Sequence, residues 1–226
     1  MKKTRRIIDL SMLIHEGMQT FGAPWHPCVE ITQLARHGIE NRETRKIVMG
    51  THVGSHVDAP RHFIPGGATV ESIPLDAMVG PASLLDFSLL PPRTQVGVED
   101  LKQKLGSRSA ERLLVRFDGD RWLGTNEYYS EHPYFSEDAC RWMVDRGCRM
   151  LALDTPQPDD PRNGRTGPKD APNHKILLGA SVVIVEYLVN LRELKQDVVE
   201  LVVAPVKLKD GDGAPARCFA IIEDED

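Results

Sequence analysis

Thr51-His-Val-Gly-Ser-His-Val-Asp-Ala-Pro-Arg-His-Phe63 places three of the chain's eight histidines and an aspartate within positions 52 to 62. Imidazole nitrogen and carboxylate oxygen are the ligands that borderline divalent cations take when no thiolate is offered. His52, His56 and Asp58 therefore supply three protein ligands and leave room for water, an open arrangement that implies catalysis rather than a structural site. A helix would put His52 and His56 on one face but carry Asp58 well round the cylinder, and Gly54 and Pro60 discourage a helix. In a fully extended strand His52 and His56 would stand about 13 Å apart at roughly 3.3 Å per residue, too far for one ion. The chain must fold back between them, and Gly54, free of the steric limits on other residues, is the candidate bend. Pro60 likewise fixes the approach to His62. A lone histidine in such a segment is more often a half-buried polar residue, but the spaced set argues against that reading.

Outward from this segment the chain reads as one mixed α/β domain over residues 1–226. Short β-rich runs recur at 7–10, 46–53, 82–87, 113–117, 150–153, 182–186, 198–206 and 219–222. Helical patterns interleave at 98–105 and at 137–146, the latter behind the N-cap candidate Ser136 and ended by Gly147. Strand and helix in alternation argue for α/β. Proline and glycine cluster in three loops, 17–27, 156–172 and 210–215, which punctuate the domain rather than divide it. His174 opens a short helical turn behind the cap candidate Asn173, and the apolar run that follows ends at Glu186. Taken alone, His174 would be a helix-start residue and Glu186 a polar strand end.

Composition narrows the function classes. A length of 226 residues with 41 % hydrophobic content suffices for a substantial core. The net charge of −5 without a basic stripe argues against nucleic acid. Mean hydropathy is −0.31 and no apolar run approaches the roughly 18 to 20 residues of a membrane span, so no membrane partner is expected. Asp9 interrupts the apolar stretch behind the basic start, which reads as a first strand rather than a signal peptide. Cys28, Cys140, Cys148 and Cys218 form no Cys-x-x-Cys pair and read as buried thiols of a cytoplasmic protein. Asp210-Gly-Asp-Gly213 lacks the spaced acids of a calcium loop and reads as a turn.

The stretch 51–63 resembles the His-x-Gly-Thr-His-x-Asp-x-Pro-x-His signature of the putative cyclase family, which includes bacterial kynurenine formamidases and isatin hydrolases; Ser55 stands where threonine is usual. Ile8-Asp-Leu-Ser11 and Leu153-Asp-Thr-Pro156 resemble further segments of that family. The resemblance implies a swivelling β/β/α architecture with a barrel-like or layered, strand-rich core flanked by helices. It implies that Asp58 bridges two divalent ions, the second also held by His174 and Glu186, which keep the family's twelve-residue spacing. Zinc is the expected metal, two per chain, with manganese the alternative, and His62 is expected to shuttle protons rather than bind metal. The implied reaction is hydrolysis of an aryl formamide such as N-formylkynurenine, or of a cyclic amide, by hydroxide shared between the ions. The implied assembly is a homodimer or homotetramer. Phe21 and Trp25 are the candidates for a wall against an aromatic substrate. Cyclisation or dehydration at the same site, and metal binding without turnover, are the competing functions.

Overall fold

The computed structural model describes residues 4–167 and 169–224. Its strands are β1 (Thr4–Asp9), β2 (Glu30–Ala35), β3 (Thr44–Val48), β4 (His56–Asp58), β5 (Val79–Asp86), β6 (Gln95–Val96), β7 (Arg112–Arg116), β8 (Tyr134–Phe135), β9 (Met150–Leu153), β10 (Val183–Glu186), β11 (Val198–Pro205) and β12 (Gly213–Asp224). Its α-helices are α1 (Leu75–Met78), α2 (Val98–Leu105), α3 (Glu127–Ser130), α4 (Glu137–Asp145) and α5 (Pro172–Gly179).

Strands β12, β11, β5, β7, β9, β10 and β4 pair in that order, and β4 pairs back onto β12, so seven strands close into a barrel with β1 added beside β12. The strands from β5 to β10 run parallel and the remaining pairs antiparallel. The parallel half explains the unbroken apolar runs of β9 and β10, whose residues are all buried because both faces are covered. Alternation along a strand then sorts the side chains. Leu114, Met150, Ala152, Val183 and Val185 join one apolar cluster. Their neighbours Leu113, Val115, Leu151, Leu153 and Ile184 join a second, with Leu101, Met143 and Leu177 of the helices.

That alternation positions the site. β4 pairs with β10 in the register His56 to Glu186, Val57 to Val185 and Asp58 to Ile184. Val57 and Val185 belong to the first cluster, so His56, Asp58 and Glu186 share the opposite face with Ile184, where α5 packs. Period-2 geometry thus brings three polar side chains together at one seam of the barrel.

The α/β class and the barrel-like core follow the expectation, but several boundaries differ. The strand expected over 46–53 ends at Val48, because residues 51–55 bend to return His52 toward Asp58. The strand expected at 219–222 is the end of the longer β12, whose first residues close the barrel against β4. Strands β2, β4, β6 and β8 are absent from the sequence reading; β4 is three residues long, two of them polar, and β6 and β8 are two residues each. Asn173 is not the cap of α5: Ala171 holds that position, and the Asn173 amide is buried, donating to the carbonyls of Phe135 and Pro158. Cys28 is exposed, and the other three thiols are buried and free as expected. The acidic run at 223–226 is expected from its charge to stay solvated, and its residues 225 and 226 lie outside the described residues. Among the described residues no helix is long and apolar enough to cross a membrane.

Asp154, just after β9, is buried away from the seam. Its Oδ1 accepts the Phe117 N–H, and its Oδ2 has no hydrogen-bond partner. Burial, reinforced by the charges of Asp118 and Asp120, pushes its carboxyl up to about 7. A carboxyl raised on folding stabilises the fold fully only below its unfolded value near 4, and that contribution is lost as pH rises through about 7. Asp154→Asn keeps the acceptor for Phe117 and offers its amide to Asp118 and Asp120. The stability of this variant relative to the parent is therefore expected to rise between pH 5 and pH 8, by up to roughly 2.5 kcal/mol. Urea melts at the two pH values check this; a pH-independent difference contradicts it.

Candidate metal centre

Each imidazole at the seam is aimed by a second contact. His56 Nδ1 donates to the carbonyl of Gly54 at 2.8 Å, which leaves Nε2 as the free acceptor, 3.2 Å from Asp58 Oδ1 and 3.5 Å from Glu186 Oε2. Gly54 takes a φ of +62°, the bend required by the sequence spacing, and the rings of His52 and His56 stand 5.0 Å apart. His174 Nδ1 lies 2.5 Å from Asp159 Oδ2, and the same carboxylate accepts the N–H groups of Asn173 and His174 at the start of α5. Asp159 therefore caps the helix and points His174 Nε2 at Asp58 Oδ2 and Glu186 Oε1, 3.3 and 3.2 Å away.

Ser55 fixes the backbone between these candidate ligands. Its hydroxyl accepts the Met12 N–H at 2.8 Å and donates to the Tyr187 carbonyl at 2.7 Å. Either serine or threonine can make this bridge. Tyr187, directly after Glu186, is held at a φ of +59°, a region a bulky residue enters only under constraint.

Potential ligand atoms fall into two sets that share Asp58, namely His52, His56 and Asp58, and Asp58, His174 and Glu186. Oδ1 of Asp58 faces His52 at 2.7 Å and His56, whereas Oδ2 faces His174. Asp58 Oδ2 and Glu186 Oε1 are buried without a hydrogen-bond partner. Leaving such atoms unpaired is costly, and a divalent cation in each set would satisfy them. The protonation balance agrees. Against the desolvation of its ring, the Asp58 charge and the Asp212 hydrogen bond raise His52 to about 10. Burial and the Asp58 charge raise Glu186. Without a cation this seam holds protons where positive charge is wanted, so the donor set fits a divalent metal.

Asp212 is the residue that sequence reasoning missed. The turn at 210–213 is real, but Asp212 Oδ2 lies 2.8 Å from His52 Nε2 and 3.4 Å from His62 Nδ1, and its carboxyl is held well below the usual range by those two imidazoles. Gly213 permits this approach, since a Cβ there would lie 2.6 Å from the His52 ring and 2.5 Å from the Val57 carbonyl oxygen. His52, His62 and Asp212 form a further close group, with the His62 ring stacked on His52 at 3.8 Å. Burial lowers the affinity of His62 for a proton. Asp159 was also missed, hidden in a polar stretch; its neighbours in space are fourteen and fifteen positions away, beyond any local motif.

Above the seam lies a cavity of about 450 Å³ lined by His52, His56, His62, His174, Glu186 and Asp212. Both aromatic candidates border it. Phe21 packs edge-on against His26 and Tyr129, with ring centroids at 5.5 and 5.9 Å, and Trp25 is 63 % exposed. His26, unassigned from sequence, also lines the cavity, its ring 6.2 Å from that of His52.

Residues 8–160 match the family model described as Putative cyclase. The chain is 27 % identical to the kynurenine formamidase of Bacillus anthracis over 215 residues, covering 95 % of this chain and 97 % of that one. It is 32 % identical to the kynurenine formamidase of Salinibacter ruber over 220 residues, covering 96 % and 97 %. Among solved structures, isatin hydrolase A from Labrenzia aggregata superimposes with a TM-score of 0.86 at 25 % identity, covering 96 % of this chain and 94 % of that one.

Proposed function

The chain belongs to the putative cyclase family, and on that premise we propose that it is a metal-dependent amide hydrolase whose substrate is an aryl formamide such as N-formylkynurenine or a cyclic amide. The observation that carries this reading is Asp58, with its two oxygens directed to separate ligand sets and one of them unpaired although fully buried. His52, His56 and Asp58 hold one divalent ion, and Asp58, His174 and Glu186 the other; nitrogen and oxygen ligands favour zinc, with manganese the alternative. When bound, such ions polarise a carbonyl and supply hydroxide near neutral pH.

The protein's own groups then handle protons and orientation. Asp212 beside His62 Nδ1 fixes the ring, leaving Nε2 to take the proton of the attacking water and return it to the departing amine nitrogen. One C–O bond forms, the C–N bond breaks, and the carboxylic acid and amine are the products. Phe21 and Trp25 form the wall against the substrate ring. The four unpaired thiols support a reducing, cytoplasmic setting. Leu34 and Ile47 on the β2–β3 hairpin, 61 % and 57 % exposed, support assembly into a homodimer or homotetramer.

Hydrolysis of N-formylkynurenine is expected with purified protein, to be abolished by chelation and restored by zinc or manganese. Turnover that survives exhaustive chelation contradicts the reading. Turnover of neither this substrate nor a cyclic amide by metal-loaded protein contradicts the proposed reaction.

A further inference from the structure

Among the described residues lining the cavity there is one lysine or arginine, Arg165. It stands in the polar loop between β9 and α5 and reaches across to the loop that carries Phe21 and Trp25. Its Nη1 donates to the Gly22 carbonyl at 2.9 Å, and its guanidinium lies 4.8 Å from the centre of the Phe21 ring. A cation at this distance from an aromatic ring is attracted to it, which fixes the side chain beside the wall.

Other arginines of the chain are paired with carboxylates: Arg162 with Asp160, Arg116 with Asp118 and Arg192 with Asp120. Arg165 has no carboxylate partner among the described residues. Of the cavity's carboxylates, Asp159 is engaged with His174, Asp212 with His52 and His62, and Glu186 faces His56 and His174, while Asp170 lines the cavity without an ion pair to Arg165 among the described residues. A guanidinium offers five donors in a planar fork suited to a carboxylate, and the single bond to Gly22 leaves most of them open.

We infer that Arg165 is a specificity-determining residue that selects aromatic substrates carrying a carboxylate apart from the scissile amide. The inference rests on the hydrolase reading for its substrate class and on the cavity geometry for the residue. The carboxylate meets the guanidinium while the ring lies along the Phe21 and Trp25 wall. The interaction leaves the reacting bond untouched and therefore acts on KM more than on kcat.

The test compares formanilide with formanilides bearing a carboxylate at the ortho, meta or para position, using metal-loaded parent protein, R165Q and R165K. For the best carboxylated substrate, R165Q is expected to raise KM at least tenfold with kcat changed less than threefold. The kcat/KM preference over formanilide should fall by the same tenfold, and R165K should recover part of it. An unchanged preference overturns the inference. Should no formanilide be hydrolysed, the aryl-formamide form of the hydrolase reading fails separately, and the inference is read from calorimetric titration of metal-loaded protein with benzenesulfonate. At least fivefold tighter binding by the parent than by R165Q supports it, and equal or absent binding overturns it.

Discussion

Asp58→Asn is expected to leave a folded protein that retains neither ion and loses at least about 10⁴ in kcat/KM. The substitution keeps the shape of the side chain but removes the charge that both ligand sets share. Oδ1 and Oδ2 face different partners, so no neighbouring carboxylate can replace both contacts. Asp58 is also the anion among the buried imidazoles of His52, His56 and His174, and breaking such a cluster from one side costs roughly 3–5 kcal/mol in the absence of metal. Circular dichroism and a thermal melt separate loss of the site from loss of the fold. Elemental analysis after desalting then reports the ions directly. Retention of both ions by a folded Asp58→Asn protein contradicts the bridging assignment.

His62→Ala is expected to behave differently, retaining both ions while kcat falls by about 10²–10⁴, the usual contribution of a positioned acid–base group. His62 faces Asp212 and stacks on His52, but belongs to neither of the sets that share Asp58. Asp212→Asn should show a milder loss of roughly 10–100-fold, because it orients the imidazole without exchanging the proton itself. The alternative assignment makes His52, His62 and Asp212 a ligand set of their own. Under that assignment His62→Ala would lose an ion together with activity, so metal content and kcat measured on one preparation distinguish the two.

The parts of the site legible in the sequence are those whose spacing is local. His52, His56 and Asp58 lie within one bend, and the impossibility of holding them on a helix or an extended strand already required the turn found at Gly54. His174 and Glu186 were legible through family resemblance, since their approach to Asp58 depends on β4 pairing with β10 across more than a hundred residues. Asp212 was not legible. It reaches His52 only because the start of β12 closes the barrel against β4 and because Gly213 has no side chain, and a turn-forming Asp-Gly pair carries no sign of either. Asp159 escaped for a related reason: its role is to cap α5 and aim His174, and a carboxylate in a polar loop looks like any solvated loop residue until the fold buries it. The fold class was legible because the parallel strands bury both faces and so read as apolar runs. The three-residue β4 has no such run, although it carries two of the candidate ligands.

The most direct test of the central claim is the ratio of divalent metal to chain in purified, desalted protein after loading with zinc or manganese. The shared carboxylate and the two ligand sets predict two ions per chain. A protein that binds no divalent ion under any loading condition would contradict the account, leaving Asp58 Oδ2 and Glu186 Oε1 buried and unpaired without a reason.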